Sequence, residues 1–236
     1  MDSFEVDTYW ASVFQCSADD VWPPGIVVSP HGAHLADYRG VFLFNRHDAC
    51  RVSAPSELVE PLKSLAHGQD VLDVFHGDTF VKLLGDQVDR VIGPNWYGYV
   101  SRGEYRPASK RGCREITADD ARQLDVLRNA CGKSDWAEAS FDKVPALFGY
   151  FEAHHLVAAS NLTAWRVGDD RIGVVTHPEF RGRGYGAAVA SAATGRALRT
   201  TPVAEWRASG TNTASIKTAL KLGFTRYGEN LAIRLR

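Results

Sequence analysis

Six residues, Arg181-Gly182-Arg183-Gly184-Tyr185-Gly186, interleave glycine with two cations and an aromatic ring. They stand between Arg171–Thr176, a β-branched and small apolar run, and Ala187–Leu198, a run of strong helix formers without proline. The first suits a buried strand, which Pro178 ends because it has no N–H for the ladder. The second suits a helix. A strand, a glycine-rich turn and a helix in succession make an anion site. The first N–H groups of a helix lack internal partners, and the dipole favours negative charge there. Glycines let phosphates approach the backbone, and Arg181 and Arg183 add fixed positive charge. The chemistry this predicts is the holding of a pyrophosphate.

A P-loop requires Lys followed by Ser or Thr after the last glycine, and Ala187-Ala188 stand there instead. Gly182, Gly184 and Ala187 fit the dinucleotide fingerprint G-x-G-x-x-G/A. That fingerprint, however, starts at the strand end and opens a doubly wound domain, and only about fifty residues remain here. A third pattern, Arg/Gln-x-x-Gly-x-Gly/Ala, is met by Arg181, Gly184 and Gly186 and resembles the acetyl-coenzyme A loop of the GCN5-related N-acetyltransferases, the GNAT superfamily. Downstream, Asn212-Thr-Ala-Ser215 opens a helical segment closing on Lys221-Leu-Gly-Phe224, which resembles a second motif of that superfamily in the same order. A glycine turn and an unrelated helix cap at Gly223 is the plainer alternative.

The resemblance spans roughly residues 155–236 and implies an α/β (α+β) fold. It has a mixed, mainly antiparallel sheet whose two central parallel strands splay apart around acetyl-CoA, the co-substrate. It implies that the backbone of Val174, Val175 and Thr176 pairs with the pantetheine. Arg181, Gly182, Arg183, Gly184, Tyr185 and Gly186 would hold the pyrophosphate, and Asn212 and Ser215 would complete the cofactor site. The expected activity is N-acetyl transfer to a primary amine of a small molecule. A protein or peptide acceptor, or a non-catalytic acetyl-CoA-binding module, are the alternatives.

Acetyl transfer needs a positioned thioester, a stabilised oxyanion, a base for the ammonium and an acid for the thiolate. An N–H near Val175 is the expected oxyanion donor. Many relatives keep a Glu on the strand before the loop, yet 171–176 contains no acid. Glu138, beside Trp136, is the candidate base, with Glu205 and His154-His155 as others. Each is also an ordinary surface group by type. Glu179 follows the strand at a position that faces solvent in the family. Where relatives often carry an acidic Tyr this chain has Ala219. Ser215, four residues earlier and so on the same helix face, is the candidate acid, with Tyr227 or water as the fallback. Arg196, Lys217 and Lys221 are candidates for the adenosine phosphates, or plain solvated charge.

The positioning elements read in order as follows. Residues 1–20 hold a short helix, and Gly25–Val28 and Gly40–Phe44 are strands. A helix starts at Ala54-Pro-Ser-Glu57 and runs to about Ala66. Short elements cover Val71–Phe75 and Phe80–Leu84, and a strand Val88–Ile92 ends at Gly93-Pro94. The aromatic run Asn95–Tyr99 reads as a core wedge. Residues 101–112 lack periodicity and read as a linker. Arg114–Thr117 is a strand, and Thr117-Ala-Asp-Asp120 has the shape of a capping box before a helix. Ala146–Glu152 and Leu156–Trp165 form a hairpin about His154-His155. After the cradle helix come a strand Val203–Ala208, a helix 212–222, and a closing hairpin of Phe224–Tyr227 and Leu231–Leu235 turning at Gly228.

The 236 residues are expected to divide at residue 110 into an N-terminal α/β domain (1–110) and a GNAT acetyl-CoA-binding catalytic domain (111–236). The first is either a degenerate acetyltransferase-like half or an unrelated cap. Residues 1–110 carry 9 Lys/Arg against 15 Asp/Glu, and residues 111–236 carry 18 against 13, so positive charge collects in the half with the cradle. The net charge of −1 argues against nucleic acid as a partner. Four scattered cysteines without a C-x-x-C pair make a zinc site or disulfide framework unexpected, and His31-Gly-Ala-His34 reads as surface-loop histidines, so no metal is expected. No apolar run reaches a membrane-spanning length, and Met1–Asp7 lacks the character of a signal peptide, so a cytoplasmic protein is expected. The oligomeric state and the acceptor's identity are not readable from these residues.

Overall fold

A computed structural model describes residues 4–109, 111–164 and 170–236. The chain forms two compact units that are not its two sequence halves. One comprises the chain up to Tyr97 with Ala208–Asn212 and Arg226–Arg236, and the other Gly98–Arg207 with Thr213–Thr225.

The first unit contains α1 (Phe4–Phe14), β1 (Gly25–Pro30), β2 (Gly40–Arg46), β3 (Ala49–Ala54), α2 (Val59–Ala66), α3 (Val71–Val74) and α4 (Gly77–Leu84). It also takes most of β4 (Val88–Ser101) and of β10 (Thr225–Leu235), and its strand order is β1-β3-β2-β10-β4. Period-two alternation in β2 and β10 sends Val41, Leu43, Leu231 and Ile233 into a core with Leu62, Phe80 and Leu84. Phe44 turns the other way onto Trp10 of α1, with ring centroids 4.0 Å apart.

Four expectations fail in this unit or at its end. The closing hairpin at Gly228 does not form, because residues 225–235 are one strand paired with β2 over Glu229–Arg234. Gly228 serves close approach, since a Cβ there would lie 2.3 Å from the Phe44 ring. The strand from Val88 does not end at Gly93-Pro94 but runs on to Ser101. Proline removes only a donor, and the Pro94 carbonyl still accepts the Gly210 N–H at 2.9 Å. His31 is no surface-loop histidine: it is half-buried, with Nδ1 2.8 Å from Ser53 Oγ and Nε2 2.9 Å from the Gly40 carbonyl. Burial lowers its pKa. Residues 101–112, finally, are not a free linker. The Tyr105 hydroxyl lies 2.6 Å from the Ser191 carbonyl, Arg102 donates to the Leu198 carbonyl, and the Arg106 N–H donates to Leu222. Lys110, at the expected division, lies outside the described residues.

The second unit holds β5 (Cys113–Glu115), α5 (Ala121–Glu138), β6 (Phe148–Glu152), β7 (His155–Ala164), β8 (Asp170–Thr176), α6 (Tyr185–Ala197), β9 (Val203–Ser209) and α7 (Thr213–Lys221). Its strand order is β9-β8-β7-β6-β5, antiparallel except for β8 and β9. Trp165, expected to end the hairpin, lies outside the described residues.

The capping box forms as expected. Asp120 accepts from the Thr117 N–H at 2.9 Å and from both terminal nitrogens of Arg114 at 2.7 Å. The Arg114 guanidinium, then the Thr117 N–H, hold this carboxyl far below the usual carboxylate range. A depressed folded pKa contributes stability that is complete above the unfolded value of about 3.9 and is lost as pH falls through the folded one. Asp120→Asn is therefore expected to be less stable than wild type at pH 7, with the gap closing below about pH 4. Urea unfolding at pH 7, 5, 4 and 3 checks this, and a gap that stays constant to pH 3 would refute it.

Candidate active site

The wedge follows from two ladders of unequal length. β8 pairs with β7 along its whole length, from Ala164↔Asp170 to Ala158↔Thr176. With β9 it pairs, among the described residues, at Asp170↔Ala204 and Arg171↔Glu205 and no further. The central parallel strands therefore splay, as the sequence led one to expect. The His177 N–H donates to the Val157 carbonyl at 2.9 Å, which sets the phase of the β7 ladder. In an antiparallel ladder alternate residues point to alternate edges. Val175 is thus directed at β7, while Val174 and Thr176 present their main-chain groups to the open edge. The oxyanion donor expected near Val175 is better placed at Val174 or Thr176. The Val175 side chain is buried with Leu127, Trp136 and Leu156.

At the end of β8 the chain makes one 3-10 turn, Pro178–Phe180, and then the glycine loop. Gly182 and Gly184 have φ of +78° and +88°, in the left-handed region that a side chain disfavours. Gly184 is the N-cap of α6. Among the described residues the backbone N–H groups from Gly182 to Ala187 meet no backbone acceptor; the first α6 bond is Ala188 N–H to the Gly184 carbonyl. Six donors at the positive end of a 13-residue helix make an anion cradle. Gly186 has a different role: a Cβ there would meet Thr176 Oγ1 at 2.9 Å, so its absence lets α6 start close against β8.

The loop's side chains are engaged by the protein itself. Arg181 Nε donates to the Thr176 carbonyl at 3.2 Å, and its terminal nitrogen meets Asp135 Oδ2 at 2.6 Å. Arg183 donates to the Glu179 carbonyl at 3.3 Å and stands 4.0 Å from the Glu152 carboxylate. Tyr185 stacks on Tyr150 with centroids 4.4 Å apart, and the adjoining Glu152 raises its phenol pKa.

Ser215 stands on α7, and its oxygen accepts the indole N–H of buried Trp206 at 3.0 Å. The residue is thus tied to β9, the second arm of the wedge. The N–H of Asn212 donates to the Ser209 carbonyl at the end of that arm. Glu138 is exposed at the end of α5, a helix packed against β7 and β8. Glu205 is 1% exposed at the closed end of the wedge and accepts the Tyr99 hydroxyl at 2.9 Å. His154 and His155 occupy the exposed turn between β6 and β7.

Two candidates are displaced. Arg196 lies in the last turn of α6, about 17 Å along the axis from Tyr185 at 1.5 Å per residue, which removes it from the cradle end. It lines a separate recess of about 210 Å³ with Arg114, Phe148 and Arg199. Tyr227 is engaged elsewhere: its hydroxyl donates to Asp7 at 2.5 Å and burial pushes its pKa up.

One residue escaped the sequence reading. Asn161 is fully buried on β7, where its amide nitrogen donates to the Ala139 carbonyl and its oxygen accepts the Gly173 N–H, both at 3.0 Å. It fastens the end of α5 to β8 beside the wedge. Its signal was a lone amide inside the apolar run Leu156–Leu162. Among the described residues no group of His, Cys, Asp and Glu is arranged to hold a metal, and no helix is long and apolar enough to cross a membrane.

A family model described as GNAT acetyltransferase matches residues 148–231. Among solved structures, a GNAT-family acetyltransferase from Colwellia psychrerythraea aligns with a TM-score of 0.51 and 15% identity, covering 66% of this chain and 61% of its own. A putative GNAT-family acetyltransferase from Novosphingobium aromaticivorans gives 0.48 and 18%, over 63% and 67%. A GCN5-related N-acetyltransferase from Kribbella flavida gives 0.47 and 17%, over 65% and 62%. The chain thus spans about three fifths of the length of the first of these structures, and the likeness is one of fold. No curated protein matches the chain.

Proposed function

The chain is a member of the GNAT superfamily through residues 148–231, and on that premise we propose that it is an acetyl-CoA-dependent N-acetyltransferase acting on a primary amine of a small molecule. The observation that carries the proposal is the wedge between β8 and β9 opening toward a cradle of six unengaged N–H groups at the start of α6. A strand edge beside an anion site suits a cofactor with a pyrophosphate at one end and amide groups along its arm.

In the reaction the amine nitrogen attacks the thioester carbonyl carbon and the carbon–sulfur bond breaks. The ammonium proton leaves to a base and the thiolate collects a proton. Main-chain N–H groups on the open edge of β8 stabilise the oxyanion. Glu138, exposed at the end of α5, serves as the base. Ser215, held on β9 by Trp206, is the donor to sulfur, directly or through water. The residues assigned to this chemistry all lie within 111–236.

The test is release of free coenzyme A thiol from acetyl-CoA, without amine and with a panel of small amines and peptides. Amine-dependent release from the small amines is the expected result. Tight acetyl-CoA binding without turnover of any amine would mark a binding module instead. In the same assay Ser215→Ala is expected to lower kcat roughly tenfold to a hundredfold. It also strips Trp206 of its acceptor and is expected to cost about 1–3 kcal/mol of stability. Ser215→Thr keeps a hydroxyl and should recover most of kcat. A kcat unchanged in Ser215→Ala would reduce the serine to a structural acceptor.

A further inference from the structure

Each cation of the glycine loop is parked on a carboxylate from another element: Arg181 on Asp135 at 2.6 Å, and Arg183 beside Glu152 at 4.0 Å. The first pair is the closer one and has the more constrained acid. Helix α5 breaks at Gly132, whose φ of +80° and ψ of 165° are not helical, so residues 133–138 form a separate short segment. Its frame is fixed from three sides. Trp136 is buried against Phe141 at 4.6 Å, the Asp135 carbonyl accepts the Ala139 N–H, and the Ala139 carbonyl is held by Asn161. The Asp135 carboxylate is thereby presented to the end of β8. Arg181 completes the bridge through the Thr176 carbonyl on one side and Asp135 on the other. The charges of both residues reach the Cys131 thiol, which burial pushes up to about 11.

We propose that Asp135 is a positioning residue for the cradle: it holds the Arg181 guanidinium, and an incoming pyrophosphate must win that guanidinium from it. The proposal rests on the assignment of Gly182–Ala187 as the cofactor's anion site. Both side chains are about half exposed, 53% for Arg181 and 44% for Asp135, so the pair is weak enough to exchange. A diphosphate at the helix N-terminus offers the guanidinium several acceptor oxygens where the carboxylate offers two, in a site already favoured by the dipole. The exchange lowers the protein's affinity for its cofactor below what the cradle with an unpaired Arg181 would give. Cofactor arrival then frees the Asp135 carboxylate alone, because Trp136, the Ala139 N–H and Asn161 keep the segment itself in place.

The experiment is calorimetric titration of coenzyme A into wild type, Asp135→Asn, Arg181→Ala and the double variant at one ionic strength. Asp135→Asn is expected to bind roughly two- to fivefold tighter than wild type, the scale of an exposed ion pair. In the Arg181→Ala background the same change is expected to have no effect, because the competitor then has nothing to hold. Equal tightening in both backgrounds would show a general repulsion from the carboxylate and overturn the proposal. Weaker binding by Asp135→Asn would overturn it too, by showing that the acid aims the arginine at the anion. Thermal unfolding without ligand is expected to match among all four chains within a few degrees; a collapse in Asp135→Asn would make the acid a structural strut and refute the exchange. Wild-type protein that binds no coenzyme A would sink the cofactor assignment itself, a result distinct from binding that ignores Asp135.

Discussion

Gly184→Asp is expected to abolish acetyl-CoA binding in calorimetry while the protein still unfolds cooperatively. Three effects add. The residue sits at φ +88°, where any side chain costs about 1–2 kcal/mol relative to glycine. The carboxylate competes for the N–H groups that the pyrophosphate would use, and an aspartate is a favoured N-cap. Its negative charge also repels the ligand at the place where the helix dipole attracts it. A Cβ at Gly184 meets nothing within 4 Å, so the fold has room for the side chain and only the backbone is strained. In a chain of this size the strain should lower Tm by about 2–4 °C per kcal/mol. Gly184→Ala separates the contributions, since it carries the strain without the charge and should retain measurable, weaker binding. An Asp variant with wild-type affinity would place the anion elsewhere.

Residues 111–236 expressed alone are expected to be insoluble or to unfold without cooperativity, even though the glycine loop and the α7 motif both lie inside that fragment. The unit built around the wedge begins at Gly98, and the fragment removes its first residues. Tyr99 and Val100 are fully buried, and truncating a large buried side chain costs about 3–5 kcal/mol. Deleting the strap 101–109 also strips the Leu198 and Leu222 carbonyls of their donors from Arg102 and Arg106, at about 1 kcal/mol each. The net stability of a domain is only about 5–15 kcal/mol. At its other end the fragment keeps Arg226–Arg236, which belong to the other unit and lose their ladder to β2. Solubility, circular dichroism and acetyl-CoA titration of the fragment decide the matter. A soluble fragment with a cooperative transition and bound cofactor would show that the catalytic part is autonomous.

The failed expectations share a cause. Gly93-Pro94 and Gly228 carry strong local signals for a strand end and a turn, but each lies in a strand whose pairing is non-local. Pro94 keeps a carbonyl for Gly210, and Gly228 makes room for Phe44, residues more than a hundred positions away in sequence. The stretch 101–112 is polar and aperiodic, as a linker is, yet its anchors at Ser191 and Leu198 are 86 and 96 positions away, and Leu222 is farther still. Local composition reports what a segment tolerates and is silent on which distant carbonyl it will meet.

The local geometry of the candidate cradle was legible because its physics is local. Glycines with positive φ, a helix start without internal acceptors and a strand ended by proline all act within a dozen residues, and Arg171–Leu198 alone was enough to place them. The capping box at Thr117 and the hairpin turn at His154 were legible for the same reason. Only the tertiary structure decided how the cradle's surroundings are wired. It showed that β8 parts from β9 after Arg171, that Val174 and Thr176 rather than Val175 face the opening, and that Arg181 is held by Asp135. It also placed Ser215 on Trp206 and moved Arg196 to the far end of its helix. Each of these depends on the phase of a ladder or on two elements meeting from separate parts of the chain, and a side chain's spacing along one element carries no record of its partner on another.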